Sequence, residues 1–347
     1  MYIGWIEPFR RKGPLTQQER STMLPRQRQT GVEPAQRMAL IRLNSTYLDW
    51  IDRRYLFRGN FGFLLATLGV LLFVSVLIYV NADSLKPAYT DADGRLVGRW
   101  DLGDWAALAL LNGFTATLIF FSLKFCLLKE YFTYTYYPIR FNRKTRMVHV
   151  FRHNGPGGVL SVPWDKVFFH VGTSGTPDLI DIRGEVLDGD LVKDTFALGH
   201  TVSKSSPHAL LEMWEFILRY MDEGPEAAGP HPLDRYVGLS VTPSWKNCFL
   251  VTRTYYSAGL PWFVQPLVFP LVLLYTVTRW VVLHTCRKPV FPPEIEVTCK
   301  VAPDDPNVWP IPTSSGEFAA TVPGILERAE ERARRQEQMQ LQTQALR

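Results

Sequence analysis

Phe61–Val80 reads FGFLLATLGVLLFVSVLIYV, and this stretch decides the reading of the whole chain, because no residue in it carries a charge. A bilayer core of about 30 Å needs about 20 helical residues at a rise of 1.5 Å each, so the stretch has the length of one membrane crossing. It begins too far into the sequence for a cleaved leader. A second stretch, Trp105–Leu123 (WAALALLNGFTATLIFFSL), has the same character, with Asn112, Gly113 and Thr115 as its least apolar members. An amide in hydrocarbon seeks a partner, so Asn112 is expected to bond across to the first helix. Lys124 and Lys129 follow the second stretch, where long stems reach the headgroups. Trp105 and Tyr131 suit the two interfaces.

The flanks give an orientation. Arg10, Arg11, Lys12, Arg20, Arg26, Arg28, Arg37, Arg42, Arg53, Arg54 and Arg58 precede the first stretch, and Lys124, Lys129, Arg140, Arg143, Lys144 and Arg146 follow the second. The connecting loop holds Lys86, Arg95 and Arg99 against Asp83, Asp91, Asp93, Asp101 and Asp104. By the positive-inside rule, both ends of this hairpin (59–130, with spans at 61–80 and 105–124) face the cytoplasm. Residues 1–58 then form a basic cytoplasmic N-terminal region. A third apolar stretch, within 260–284, is interrupted by Pro261, Pro266 and Pro270 and flanked by cations on both sides. Each proline removes a helix hydrogen bond that lipid cannot replace, so an interfacial or re-entrant segment is favoured over a third span.

Residues 131–224 read as a β-rich domain. YTYYPIRFN, RMVHVFRHN, VLSVPW, VFFHVG, PDLIDIRGEVLD and LVKDTFALG are six strand candidates, separated by turns at NRKT, GPGG and Gly189. Ser206 and Pro207 then open a helix with Leu210, Trp214, Ile217, Leu218 and Met221 at helical spacing, an apolar face able to seal a sheet. Six strands closed by one amphipathic helix resemble a pleckstrin-homology-like domain. The fold class is therefore α+β: a transmembrane helical hairpin, a cytoplasmic β-domain with a C-terminal helix, then an apolar segment and a helical tail. Residues 225–312 read as a linker carrying that apolar segment, with an extended proline-rich stretch up to Pro312. Residues 313–347 read as a charged helical tail with Glu330–Arg334 and Glu331–Arg335 at i,i+4.

Motifs for chemistry are missing from the sequence. Cys126, Cys248, Cys286 and Cys299 form no CxxC pair and read as reduced thiols. The seven histidines show no metal-ligand spacing, and there is no GxSxG, Walker or GxGxxG pattern. Asp188 and Asp190 read as a solvated turn, and Asp194, His200 and Ser203 lack the order and the elbow of a triad. No catalytic residue, metal or cofactor is expected, and the chain is not expected to be an enzyme. The best site candidate is the basic group Arg140, Arg143, Lys144, Arg146 and Arg152, just after the second span among Tyr134, Tyr136 and Tyr137. Such a patch attracts anionic lipid at about 1 kcal/mol per charge, or binds a partner; the plainer reading is a topology signal on a solvated hairpin. No helix or aromatic platform accompanies the charge, so nucleic acid is not an expected partner.

The order of YYPIRFNRKTRMVHVFR, VPWDKV, WEFILRYM and PVFPPEIE behind a membrane hairpin resembles an uncharacterised membrane protein family of Gram-negative bacteria, over about residues 35–300. Members are commonly encoded beside type VI secretion system effectors and spike proteins. The resemblance implies a protein of the bacterial inner membrane that binds a cognate effector or toxin, as an immunity or effector accessory protein, and implies no catalytic residue. The alternative is a lipid-sensing or scaffolding membrane protein that uses the basic hairpin.

Overall fold

The computed structural model describes residues 13–26, 31–59, 61–87, 89–94, 96–98, 100–173, 178–257 and 259–345. Arg10, Arg11, Lys12, Arg28, Arg95 and Arg99, used above for orientation, lie outside the described residues. In chain order the elements are α1 (Gln17–Ser21), β1 (Leu40–Leu43), β2 (Tyr47–Trp50), α2 (Phe61–Ser84), β3 (Tyr89–Thr90), β4 (Leu96–Val97), α3 (Leu102–Phe125), β5 (Ile139–Asn142), β6 (Met147–Phe151), β7 (Val159–Pro163), β8 (Val167–Thr173), β9 (Leu179–Asp188), β10 (Leu191–Ser203), α4 (His208–Asp222), α5 (Pro225–Ala228), α6 (Trp245–Ser257), α7 (Gln265–Thr285), α8 (Pro293–Thr298), α9 (Phe318–Thr321) and α10 (Ile325–Ala345). They fall into two units.

The first unit takes residues 1–56, 134–258 and 288–347. Its six strands β5 to β10 match the six sequence candidates, but β1 and β2 join them. The strands form a five-stranded antiparallel sheet, β1-β2-β5-β6-β7, and a three-stranded one, β10-β9-β8. Residues assigned to a basic flank thus build the edge of the sheet. Tyr47 pairs with Asn142 and Trp50 with Ile139, so the chain leaves β2, runs through the whole α2–α3 hairpin, and returns to the neighbouring position in the same sheet. The two sheets and α4 share one core, in which Trp50, Trp164, Phe169, Phe196 and Trp214 are fully buried. All five apolar positions read on α4 are buried in it.

The second unit takes residues 57–133 and 259–287. Helices α2, α3 and α7 are each long and apolar enough to cross a membrane. Asn81 and Asn112 exchange two hydrogen bonds of 3.0 Å, so the expected cross-helix amide contact exists. The third apolar stretch does not break. Pro266 lies in the first turn of α7, where no N–H is needed, and only Pro270 is interior. The helix runs through Arg279 to Thr285, 21 residues in all and about 31 Å long. Arg58, Glu130 and Arg279 are buried together in this unit: Arg279 Nη1 donates to the Arg58 carbonyl at 2.9 Å, and Arg58 Nη2 donates to the Glu130 carbonyl at 3.1 Å and to Thr133 Oγ1 at 2.7 Å.

Candidate functional site

Alternation along the five-stranded sheet places one polar side chain per strand in a single row. Arg42 on β1 registers with Asp49, Asp49 with Arg140, Arg140 with His149, and His149 with Ser161 on β7. Arg140 grips Asp49 with two parallel hydrogen bonds of 2.7 and 3.0 Å, the fork geometry for which guanidinium is suited. Its plane lies 4.0 Å from the Tyr47 ring and 4.2 Å from the Phe291 ring, and Nη1 reaches Glu296 at 2.9 Å. His149 Nδ1 meets Ser161 Oγ at 2.8 Å. Burial, helped by the charge of Arg140 and opposed by Asp49, pushes the His149 pKa down to about 4. Asp49 is committed to Arg140, and a base that weak transfers protons poorly near neutrality, so the Ser161–His149 pair is not arranged as an activated nucleophile.

The cover over this row is the segment 288–312, of which residues 292–312 read from sequence as an extended connector. It is a strap fastened along its length. Asn154 Oδ1 accepts from Val290 N at 3.0 Å, Asn142 Nδ2 donates to the Thr298 carbonyl at 3.0 Å, and Ser45 donates its N–H and its hydroxyl to Asp305 at 2.8 and 2.6 Å. Burial works against the Asp305 carboxylate, but the two Ser45 bonds, the Asn307 N–H and the charge of Lys144 hold its pKa below the usual range. Phe291 enters an aromatic group with Tyr137 and Phe151. On the outer side Val290, Val297, Val308 and Ile311 remain exposed, Val297 at 75%.

The five basic residues singled out from sequence do not form one open electropositive face. Arg140 is buried beneath the strap. Arg143 is half-buried against Gly224. Lys144 is exposed and faces Asp305. Arg146, in the left-handed region at φ 56°, pairs with Asp165 at 2.9 Å and Asp222 at 2.8 Å. Arg152 pairs with Asp194. That pairing also takes Asp194 away from His200, which bonds the Met38 carbonyl, and from Ser203, which bonds Ser205. Asp190 pairs with Arg20 at 3.7 Å. The four cysteines are free thiols, as read.

One group among the described residues could hold a metal ion, and the sequence reading missed it: Glu19, His170 and Glu185, whose ligand atoms lie within 4.8 Å of one another. Three residues scattered over the chain leave no spacing motif. The retrievable signal was a histidine and a glutamate on the same face of two strands that pair.

Neither the curated proteins nor the solved structures contain a match to this chain. Residues 116–303 match a family of unknown function, DUF6708. That span begins within α3, takes in β5 to β10, α4 and α7, and ends in the strap, so it contains Arg140, His149 and the part of the strap that carries Phe291 and Glu296. It is more than half of the 347 residues, and the chain belongs to the DUF6708 family.

Proposed function

We propose that this is a membrane-anchored binding protein whose soluble unit holds a cognate type VI secretion effector, as an immunity or effector accessory protein of the bacterial inner membrane. In this reading the N-terminus and the β unit are cytoplasmic, and the two antiparallel sheets closed by α4 are a pleckstrin-homology-like domain. The observation that carries it is the strap. It is fixed by Arg140, Asn142, Asn154 and Ser45, yet it keeps Val290, Val297, Val308 and Ile311 in solvent. Apolar side chains on a pre-ordered segment lose little entropy when a partner covers them. The neutralised basic turn favours a protein partner over a lipid surface, since four of its five cations are buried, half-buried against Gly224 or paired with carboxylates.

The test is capture of the tagged full-length protein from membranes of cells expressing the neighbouring genes, read by mass spectrometry. A secreted toxin recovered in stoichiometric amount, and lost with Val290→Asp and Val297→Asp but kept with Arg143→Ala and Lys144→Ala, supports the proposal. Recovery of lipids and general membrane proteins alone, with liposome binding lost in the Arg143 and Lys144 variants, replaces it with the lipid-sensing scaffold.

A further inference from the structure

We infer that Glu19, His170 and Glu185 form a site for a divalent transition-metal cation, with zinc as the best match to its donors, and that the ion fastens the N-terminal segment to the three-stranded sheet. The strand register sets the frame. Phe168 of β8 lies opposite Glu185 of β9, and Glu185 lies opposite Thr195 of β10. His170, Glu185 and Thr195 therefore share one face of the sheet, while Phe169 and Phe196 point to the core on the other. A sheet face turned away from its core should be wet, yet His170 and Glu185 are each about 1% exposed. The cover is the N-terminal segment: Met23 bridges to His170, Leu24 donates to the Phe169 carbonyl at 2.8 Å, and Val171 donates to the Thr22 carbonyl at 3.0 Å. Helix α1 on that segment delivers Glu19.

The hydrogen bonds orient each donor from its far side. His170 Nδ1 is 3.3 Å from the Val171 carbonyl, which can only accept, so Nδ1 is placed to donate and Nε2 is the nitrogen placed to bind an ion. Nε2 faces Glu185 Oε1 at 3.1 Å, and a carboxylate oxygen only accepts. A proton or a cation must lie between them. The other oxygen of Glu185 takes the Thr195 hydroxyl, and one oxygen of Glu19 takes the backbone N–H and the hydroxyl of Thr16 at 2.9 and 2.8 Å. A carbonyl behind the imidazole and hydroxyls behind the carboxylates are what hold metal ligands in place. Zinc bonds to nitrogen and oxygen of about 2.0–2.1 Å put neighbouring tetrahedral ligands about 3.3 Å apart, close to the His170–Glu185 separation. Two carboxylates and a neutral imidazole match the charge of a divalent ion, and a side-chain rotation of the part-exposed Glu19 closes the third ligand, with water in the fourth position.

The proposal is independent of the effector reading. Its test is zinc titration of the full-length, metal-stripped protein in detergent by calorimetry, with cobalt absorption as a second readout. One zinc per chain is expected, with the visible bands of tetrahedral cobalt. Glu19→Gln should lower the affinity at least tenfold, while the metal-free variant stays folded by circular dichroism, because glutamine also completes the capping box with Thr16. His170→Gln should abolish binding. No stoichiometric zinc, or zinc bound by a folded Glu19→Gln chain as tightly as by the parent, overturns the site.

Discussion

Arg140 and Asp49 stand 91 positions apart in the chain and pair directly across β5 and β2, joined by hydrogen bonds of 2.7 and 3.0 Å. The segment between them includes the α2–α3 hairpin, so this contact closes the sheet across that hairpin. Both groups are almost fully buried. Removing Arg140 leaves the buried Asp49 carboxylate with only the more distant Arg42, at 4.0 Å, so Arg140→Met should cost about 3 kcal/mol, measured by denaturant unfolding in detergent. Asp49→Asn combined with Arg140→Met should cost clearly less than the sum of the two single changes. Glu296 is half-exposed, and Glu296→Gln should cost no more than about 1 kcal/mol.

His149 predicts a pH dependence with a definite sign. Its pKa is pushed from 6.5 to about 4, by burial first and by Arg140 second. The unfolded chain takes up a proton near pH 6.5 and the folded chain does not until near pH 4. The stability this residue contributes is therefore complete above pH 6.5, falls as pH drops through the interval, and levels off below about 4. The loss is at most about 3 kcal/mol. His200 is buried and shifted in the same direction, so it keeps a residual slope in any His149 variant. Unfolding midpoints of the parent and His149→Gln between pH 7 and 4 should converge as pH falls; parallel curves would exclude this assignment.

What the sequence made legible follows from how local each signal is. The spans at 61–80 and 105–124 needed no knowledge of partners, and the helices α2 and α3 contain them. Strand alternation and the face of α4 were likewise readable within one window. β1 and β2 were not, because each is four residues long and the partner strand for β2 comes only after the hairpin. The basic cluster was read by the sign of its charges alone, while Asp165, Asp194 and Asp222, which neutralise it, come from other elements. The strap read as an extended connector because it is rich in proline, and its anchors are single bonds to scattered residues of the first unit. In α7 the prolines were counted but not positioned, and Pro266 in the first turn costs the helix nothing.

Gly59 supplies a sharp structural test of the second unit. Its φ is +69°, and a Cβ there would lie 2.4 Å from the Arg279 Cα, a backbone atom that no side-chain rotation can move aside. The left-handed backbone alone costs an alanine about 1–2 kcal/mol, and the collision adds to it. Gly59→Ala should lower the melting temperature in detergent and reduce the monodisperse fraction on size exclusion. Gly69→Ala is the control, because a Cβ at Gly69 meets nothing within 4 Å. Equal behaviour of the two variants would mean that Arg279 does not approach Gly59 in this way.

The Asn81–Asn112 pair tests whether α2 and α3 pack as described. Each amide donates to the other at 3.0 Å, and Asn81 also donates to the Leu77 carbonyl at 2.8 Å, so both side chains are oriented for exchange. Apolar surroundings raise the cost of a lone amide, but the separated helices also find partners, which keeps such contacts near 0.6–2 kcal/mol. Asn112→Leu should therefore destabilise by about 1 kcal/mol, since it strands the Asn81 oxygen. Asn81→Leu with Asn112→Leu should recover part of that loss, because the same helix faces then meet as leucines. A double-mutant cycle on thermal unfolding in detergent reads the coupling directly; strictly additive changes would place the two amides on different contacts.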